Sequence, residues 1–207
     1  MLSNFRNLNE EERLFESLIN ERIQMDKSTE NIDKQIWSIY GKRMSILFTD
    51  LCGFSNSVHE KGIIQFIQKI YVFKSILMKF IEKYNGHVIK IIGDSFVVLF
   101  ETVDDAINTT IETQRYLLNY NKEKEACERI FLCAGIGYGE ILKVGDKELF
   151  GDEVNIASKL GEDTAEAYEI LISEAAKNNI EKLNDNLYFE ELNHQIVNGL
   201  KAYKVLY

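Results

Sequence analysis

Apolar positions recur along this chain with two different periods. In residues 9–25, "NEEERLFESLINERIQM", Leu14, Phe15, Leu18, Ile19 and Ile23 fall on one stripe at helical spacing. Glu10, Glu11 and Glu12 suit the partly positive first turn of that helix. "DKSTENID" breaks the pattern and reads as a linker, so the chain divides into an N-terminal helix and linker, 1–40, and a main domain, 41–207. The main domain opens with a strand at 44–50 and a helix at about 61–84. "HVIKIIGDSFVVLF" (87–100) is two β-rich runs meeting at Gly93-Asp94, a hairpin signal. A helix follows at about 103–120, with Val103, Ala106, Ile107 and Thr110 on one side. Strands are predicted at 130–138, 140–145 and 169–173, short helices at 153–161 and 173–180, and two late strands near 187–193 and 201–206. The core order β-α-β-β-α-β predicts an α+β protein of the ferredoxin-like, split βαβ kind. Its antiparallel sheet carries helices on one face.

The net charge of −9 argues against nucleic acid or an anionic membrane surface as partner. An anionic ligand stays open, because a bound divalent cation reverses the local sign. Three cysteines, Cys52, Cys127 and Cys133, without zinc-type spacing suggest free thiols in a reducing compartment. No stretch approaches the length of a membrane span, and the first thirty residues are too polar for a signal peptide. The expectation is a soluble cytoplasmic protein.

The chemistry concentrates at two acids. "SILFTDLCGFSNS" (45–57) is an apolar strand that stops at Asp50 and runs into a small, glycine-containing turn. Asp94 stands at the tip of the hairpin that this topology lays beside the first strand. Two carboxylates on rigid strand ends suit a divalent cation that completes its shell with phosphate oxygens. The plainer reading makes Asp94 a β-turn residue and Asp50 a helix N-cap.

Three segments in this order, "ILFTDLCGF", "NGHVIKIIGDSFVVLF" and "LFGDEVNIASKLGEDTA", resemble the class III nucleotidyl cyclases over about residues 43–206. The resemblance implies attack of a ribose 3′-oxygen on the α-phosphorus of a nucleoside triphosphate, with loss of pyrophosphate. Asp50 and Asp94 resemble the pair that binds two Mg²⁺ or Mn²⁺ ions, and the Leu51 carbonyl resembles a further ligand. The backbone of Cys52, Gly53 and Phe54 resembles a phosphate cradle. Lys90 stands where adenylyl cyclases read the base, Glu148 in the position of its partner, Asn155 where an asparagine orients the ribose, and Lys159 where an arginine is usual. The family also implies a homodimer in which two chains share each site.

This chain departs from the family pattern at several of these positions. Glu148 replaces Asp or Thr, so the Lys90–Glu148 pair fits adenine, cytosine or guanine, with adenine favoured. Lys159 keeps the charge of the arginine and loses its planar fork. Cys133 stands where a cation usually reaches the phosphates, with Arg129 four residues upstream; the C-terminal phosphate lysine falls in a shortened segment, "VNGLKAY", where Lys201 is the candidate. These losses keep open a cyclase for another base, or a catalytically weak nucleotide-binding or regulatory module.

Overall fold

In the computed structural model of the chain, residues 9–25, 28–52, 62–182, 187–192 and 200–207 are described. The strand that delivers Asp50, β1 (Gly41–Leu51), lies inside an eight-stranded sheet. It pairs antiparallel with β3 (Ser95–Phe100) on one side and β4 (Leu132–Val144) on the other. β2 (His87–Ile92) forms one edge beside β3. Beyond β4 come β6 (Ile170–Ser173), β8 (Ala202–Leu206) and β7 (Tyr188–Glu191), while β5 (Glu148–Phe150) pairs with the far end of β4. A strand covered on both faces needs apolar residues at successive positions, and residues 45–49 of β1 are all buried.

Successive side chains of β1 go to opposite layers. Leu47 and Leu51 pack with Phe73, Leu77, Ile107 and Leu117, from the helices α3 (Ile63–Lys83) and α4 (Val103–Lys122). Ile46 and Phe48 pack on the other face with Val97, Leu99, Ile141 and Ala157. α4 starts where Thr102 Oγ1 accepts from the Asp105 N–H at 3.1 Å, with Asp104 and Asp105 in its first turn. α6 (Glu174–Asn178) adds Ala176 to the α3–α4 side. The short α5 (Asp152–Ser158), extended by a wide turn over Lys159–Thr164, lies on the opposite face.

The sequence reading needs three corrections here. β4 is one continuous strand where two were expected, because Gly137 and Gly139 stay in register opposite Ile46 and Met44. Part of the expected linker is helical: α2 spans Glu30–Tyr40 and buries Ile32, Ile36 and Tyr40, one helical turn apart. In α1 (Glu10–Ile23), Leu18 is buried and Phe15 and Ile19 are partly covered, but Leu14 and Ile23 are 46% and 73% exposed. Their satellite core with Ile32, Ile36, Tyr40 and Val144 is too narrow to cover the whole stripe. The Tyr40 hydroxyl donates to the Glu11 carbonyl at 2.8 Å and Arg22 pairs with Asp33 at 2.6 Å, so the two helices are joined by polar contacts as well.

Candidate active site

The β2–β3 connection is a two-residue turn, Gly93-Asp94, with φ +61° at Gly93. A positive φ at the first central position suits a type II′ hairpin turn, and glycine supplies it without strain. That turn and the β1–β3 register bring Asp94 beside Asp50. Ser95 Oγ donates to Asp50 Oδ1 at 3.1 Å, and Thr49 Oγ1 accepts from the Phe96 N–H at 3.2 Å. The Leu51 backbone favours the charged form of both carboxylates.

The two acids lie in an environment that disfavours their charge. Burial, followed by the Asp94 charge, pushes Asp50 up to about 6, against hydrogen bonds from Ser95 and Leu51. Burial likewise raises Asp94, and Glu162 adds negative charge against both. Asp94 Oδ2 is buried without a hydrogen-bond partner. An orphaned carboxylate oxygen beside a second carboxylate costs free energy unless a proton or a cation joins them. The donor set is oxygen only, which fits a hard divalent ion such as Mg²⁺ or Mn²⁺. Among the described residues no three His, Cys, Asp or Glu side chains form a metal cluster, so two carboxylates need backbone or substrate oxygens to complete a shell.

Beyond Leu51 the structure changes the expected picture. Cys52 and Cys133 form a disulfide, correcting the expectation of three free thiols; Cys127 alone is free. Asp50 lies opposite Cys133 in the β1–β4 register, which puts Cys52 diagonally across from Cys133 on the same face, with Cα atoms 6.3 Å apart. The Cys52 N–H donates to the Phe131 carbonyl at 2.9 Å, so it is already engaged and not free to cradle a phosphate. Gly53 and Phe54 lie outside the described residues.

Lys90 is exposed on β2, immediately after a bulge between Val88 and Lys90 that re-aims the strand. Glu148 is half-buried at the start of β5. Asn155 on α5 and Lys159 just after it are exposed four residues apart. Among the described residues, the side chains of Lys90, Asn155 and Lys159 make no hydrogen bond or ion pair, and none is bonded to the carboxylate pair of its own chain. Arg129 donates to the Lys124 carbonyl, and Lys201 pairs with Glu191 at 2.9 Å. Sequence reading missed Thr49, Ser95 and Glu162. Ser95 was within reach, since it follows Asp94 directly in the hairpin. Glu162 was not, since only the packing of the turn after α5 brings it near Asp50.

Residues 40–207 match the family model for the adenylate and guanylate cyclase catalytic domain. An adenylate cyclase of Anabaena cylindrica is 30% identical over 156 residues, covering 67% of this chain and 31% of that protein. The chain thus spans about a third of that relative's length. The crystal structure of the adenylyl cyclase CyaB from P. aeruginosa superposes with a TM-score of 0.68 at 22% identity, covering 81% of this chain and 95% of the other. The guanylate cyclase domain of RhGC from Catenaria anguillulae, in complex with GTP, superposes with a TM-score of 0.66 at 17% identity, covering 81% and 96%. At these identities the structural likeness speaks for the fold. No described helix is long and apolar enough to cross a membrane.

Proposed function

The chain belongs to the adenylate and guanylate cyclase catalytic domain family, and we propose that it converts a nucleoside triphosphate, ATP first, into the 3′,5′-cyclic monophosphate and pyrophosphate. The observation that carries this reading is the Asp50–Asp94 pair, with its buried, unpartnered Asp94 Oδ2. In the reaction the ribose 3′-hydroxyl gives up its proton, the O3′–P bond forms, and the bond from the α-phosphorus to the pyrophosphate breaks. Two divalent ions per site, Mg²⁺ or Mn²⁺, would supply Lewis-acid stabilisation of the attacking and leaving oxygens. Asp50, Asp94 and the Leu51 carbonyl would hold them, with Ser95 fixing the Asp50 rotamer through its 3.1 Å hydrogen bond.

Lys90 donates to, and Glu148 accepts from, the Watson–Crick edge of the base, which suits N1 and the N6 amine of adenine. Asn155 orients the ribose, and Lys159 meets the charge that builds on the α-phosphate oxygens. Because Lys90, Asn155 and Lys159 are exposed and unbonded to the carboxylates of their own chain, the reading includes a homodimer in which each site takes metal ligands from one chain and these groups from the other. The unit from residue 41 is the catalytic domain and the helices before it an appendage; the cytoplasmic setting expected from free thiols does not go with the Cys52–Cys133 disulfide.

A second reading, a weak nucleotide-binding or regulatory module, is favoured by one observation. Cys133 stands at the usual place of a phosphate-binding cation and is tied in a disulfide, so it offers no charge. Incubation with each of ATP, GTP, CTP and UTP, with Mg²⁺ or Mn²⁺, followed by product analysis, separates the readings. Cyclic AMP as main product supports the first. Another cyclic nucleotide reassigns the base, and nucleotide binding with no cyclic product leaves the module.

A further inference from the structure

β4 presents Gly135, Gly137 and Gly139 on one face, and the segment running from α5 lays Glu153, Ala157 and Gly161 over them at four-residue spacing. The approach is backbone to backbone. A Cβ at Gly135 would sit 2.2 Å from the Ala157 carbonyl oxygen and 2.4 Å from the Gly161 nitrogen. A Cβ at Gly137 would lie 2.5 Å from the Glu153 carbonyl oxygen and 2.9 Å from its Oε2, and one at Gly139 would lie 2.8 Å from its Cγ. The Glu153 side chain therefore rests directly on two of the three glycines.

Its carboxylate ends in specific partners. Oε2 accepts from the Tyr138 N–H at 3.0 Å and from Ser173 Oγ at 2.7 Å. β4 pairs with β6 only from Ala134 to Ile136, so the Tyr138 N–H lies past the end of that ladder and the carboxylate stands in for a strand partner. Ser173 in turn caps α6, accepting from the Ala176 N–H at 3.0 Å. One oxygen thus joins α5, β4 and the β6–α6 corner. Asn155 and Lys159 follow two and six residues later, on the exposed side of the same short segment.

We propose that Glu153 is a positioning residue, whose carboxylate over the glycine track sets the height and rotation of α5 and so the placement of Asn155 and Lys159 against a bound triphosphate. This rests on the cyclase reading. A seven-residue helix laid on glycines meets no side chains of the strand at those positions that would fix its rotation. A displacement of about 1 Å in such groups costs on the order of 10²-fold in rate. Both donors converge on one oxygen, Oε2, and a glutamine oxygen can accept both bonds.

The test compares Glu153→Asp, Glu153→Gln and Glu153→Ala, with turnover per folded dimer, KM for the preferred triphosphate, and amide hydrogen exchange across 152–159. The expected result is a fall in kcat of about 10–10²-fold for Glu153→Asp, whose shorter arm misses both partners. KM should change little and α5 exchange should be faster. Glu153→Gln should restore kcat to near wild type. If Glu153→Ala fails to fold, the Asp and Gln pair still decides. A Glu153→Asp enzyme with unchanged kcat, or a Glu153→Gln enzyme as impaired as Glu153→Asp, overturns the proposal. If the wild-type chain forms no cyclic product, the cyclase reading fails separately. Exchange then decides alone, with unchanged α5 protection in Glu153→Asp counting against the anchor.

Discussion

Ser95 Oγ reaches Asp50 Oδ1 at 3.1 Å across the β1–β3 boundary, so the residue that follows one site carboxylate holds the other. Ser95→Ala removes that hydrogen bond and leaves the ladder intact. A hydrogen bond to a charged group is worth about 1.5–3 kcal/mol. Turnover at subsaturating Mn²⁺ should drop by roughly tenfold or more on that scale, and excess metal should recover part of it. A Ser95→Ala enzyme with an unaltered metal titration would show the contact to be incidental.

Asp50→Ala and Asp94→Ala should each abolish cyclase activity while the circular dichroism spectrum and melting cooperativity stay native. Near-normal turnover of either variant at saturating Mn²⁺ would remove it from the metal site.

In the folded metal-free chain Asp50 keeps its proton up to about pH 6, against about 3.9 in an unfolded one. Between those values the folded state binds more protons, so the Asp50 contribution to stability grows as pH falls through 6 and is complete below about 4. Asp94, also raised, acts in the same direction. Asp50→Asn should therefore melt higher than wild type at pH 7.5 in chelator, with the difference closing toward pH 4. A difference that widens on acidification has the wrong sign and would count against the buried pair.

The Cys52–Cys133 disulfide closes a sequence separation of 81 residues. Such a link typically stabilises by about 2–5 kcal/mol, chiefly by restricting the unfolded chain. Cys133→Ser, or reduction of the wild type, should lower the urea midpoint accordingly. Alkylation and mass spectrometry would confirm that Cys127 alone reacts in the untreated protein.

Lys159→Ala should lower turnover by about 10²–10³-fold with little change in nucleotide affinity, the mark of a charge used mainly in the transition state. Lys159→Arg should keep or raise activity. If Lys159→Ala equals wild type, the α-phosphate charge is met elsewhere, and Arg129 and Lys201 become the residues to substitute next.

Much of this was legible in the sequence because it rests on local period and turn chemistry. The apolar run Ile46-Leu47-Phe48, the Gly93-Asp94 turn and the stripe of α4 each specify an element without help from the rest of the chain. Asp50 and Asp94 could be paired because the topology leaves β1 one place, beside β3. The disulfide and the hold of Glu153 on Tyr138 and Ser173 were not legible. Both depend on register between strands far apart in sequence, and a one-residue slip would turn Cys133 to the other face. α2 was readable and was missed, since Ile32, Ile36 and Tyr40 have helical spacing behind a polar start.

The place of β1 between β3 and β4 also orders events on a growing chain. β1 can pair with β3 once Phe100 has emerged, which assembles Asp50, Asp94 and Ser95 early. Its other edge stays bare until residues 132–142 are made, and Cys52 lacks its native partner before Cys133 appears. A product released in that interval presents the open edge of an apolar strand, Ile46-Leu47-Phe48, to any neighbouring chain. The half-finished domain is therefore the stage of synthesis most in need of a chaperone.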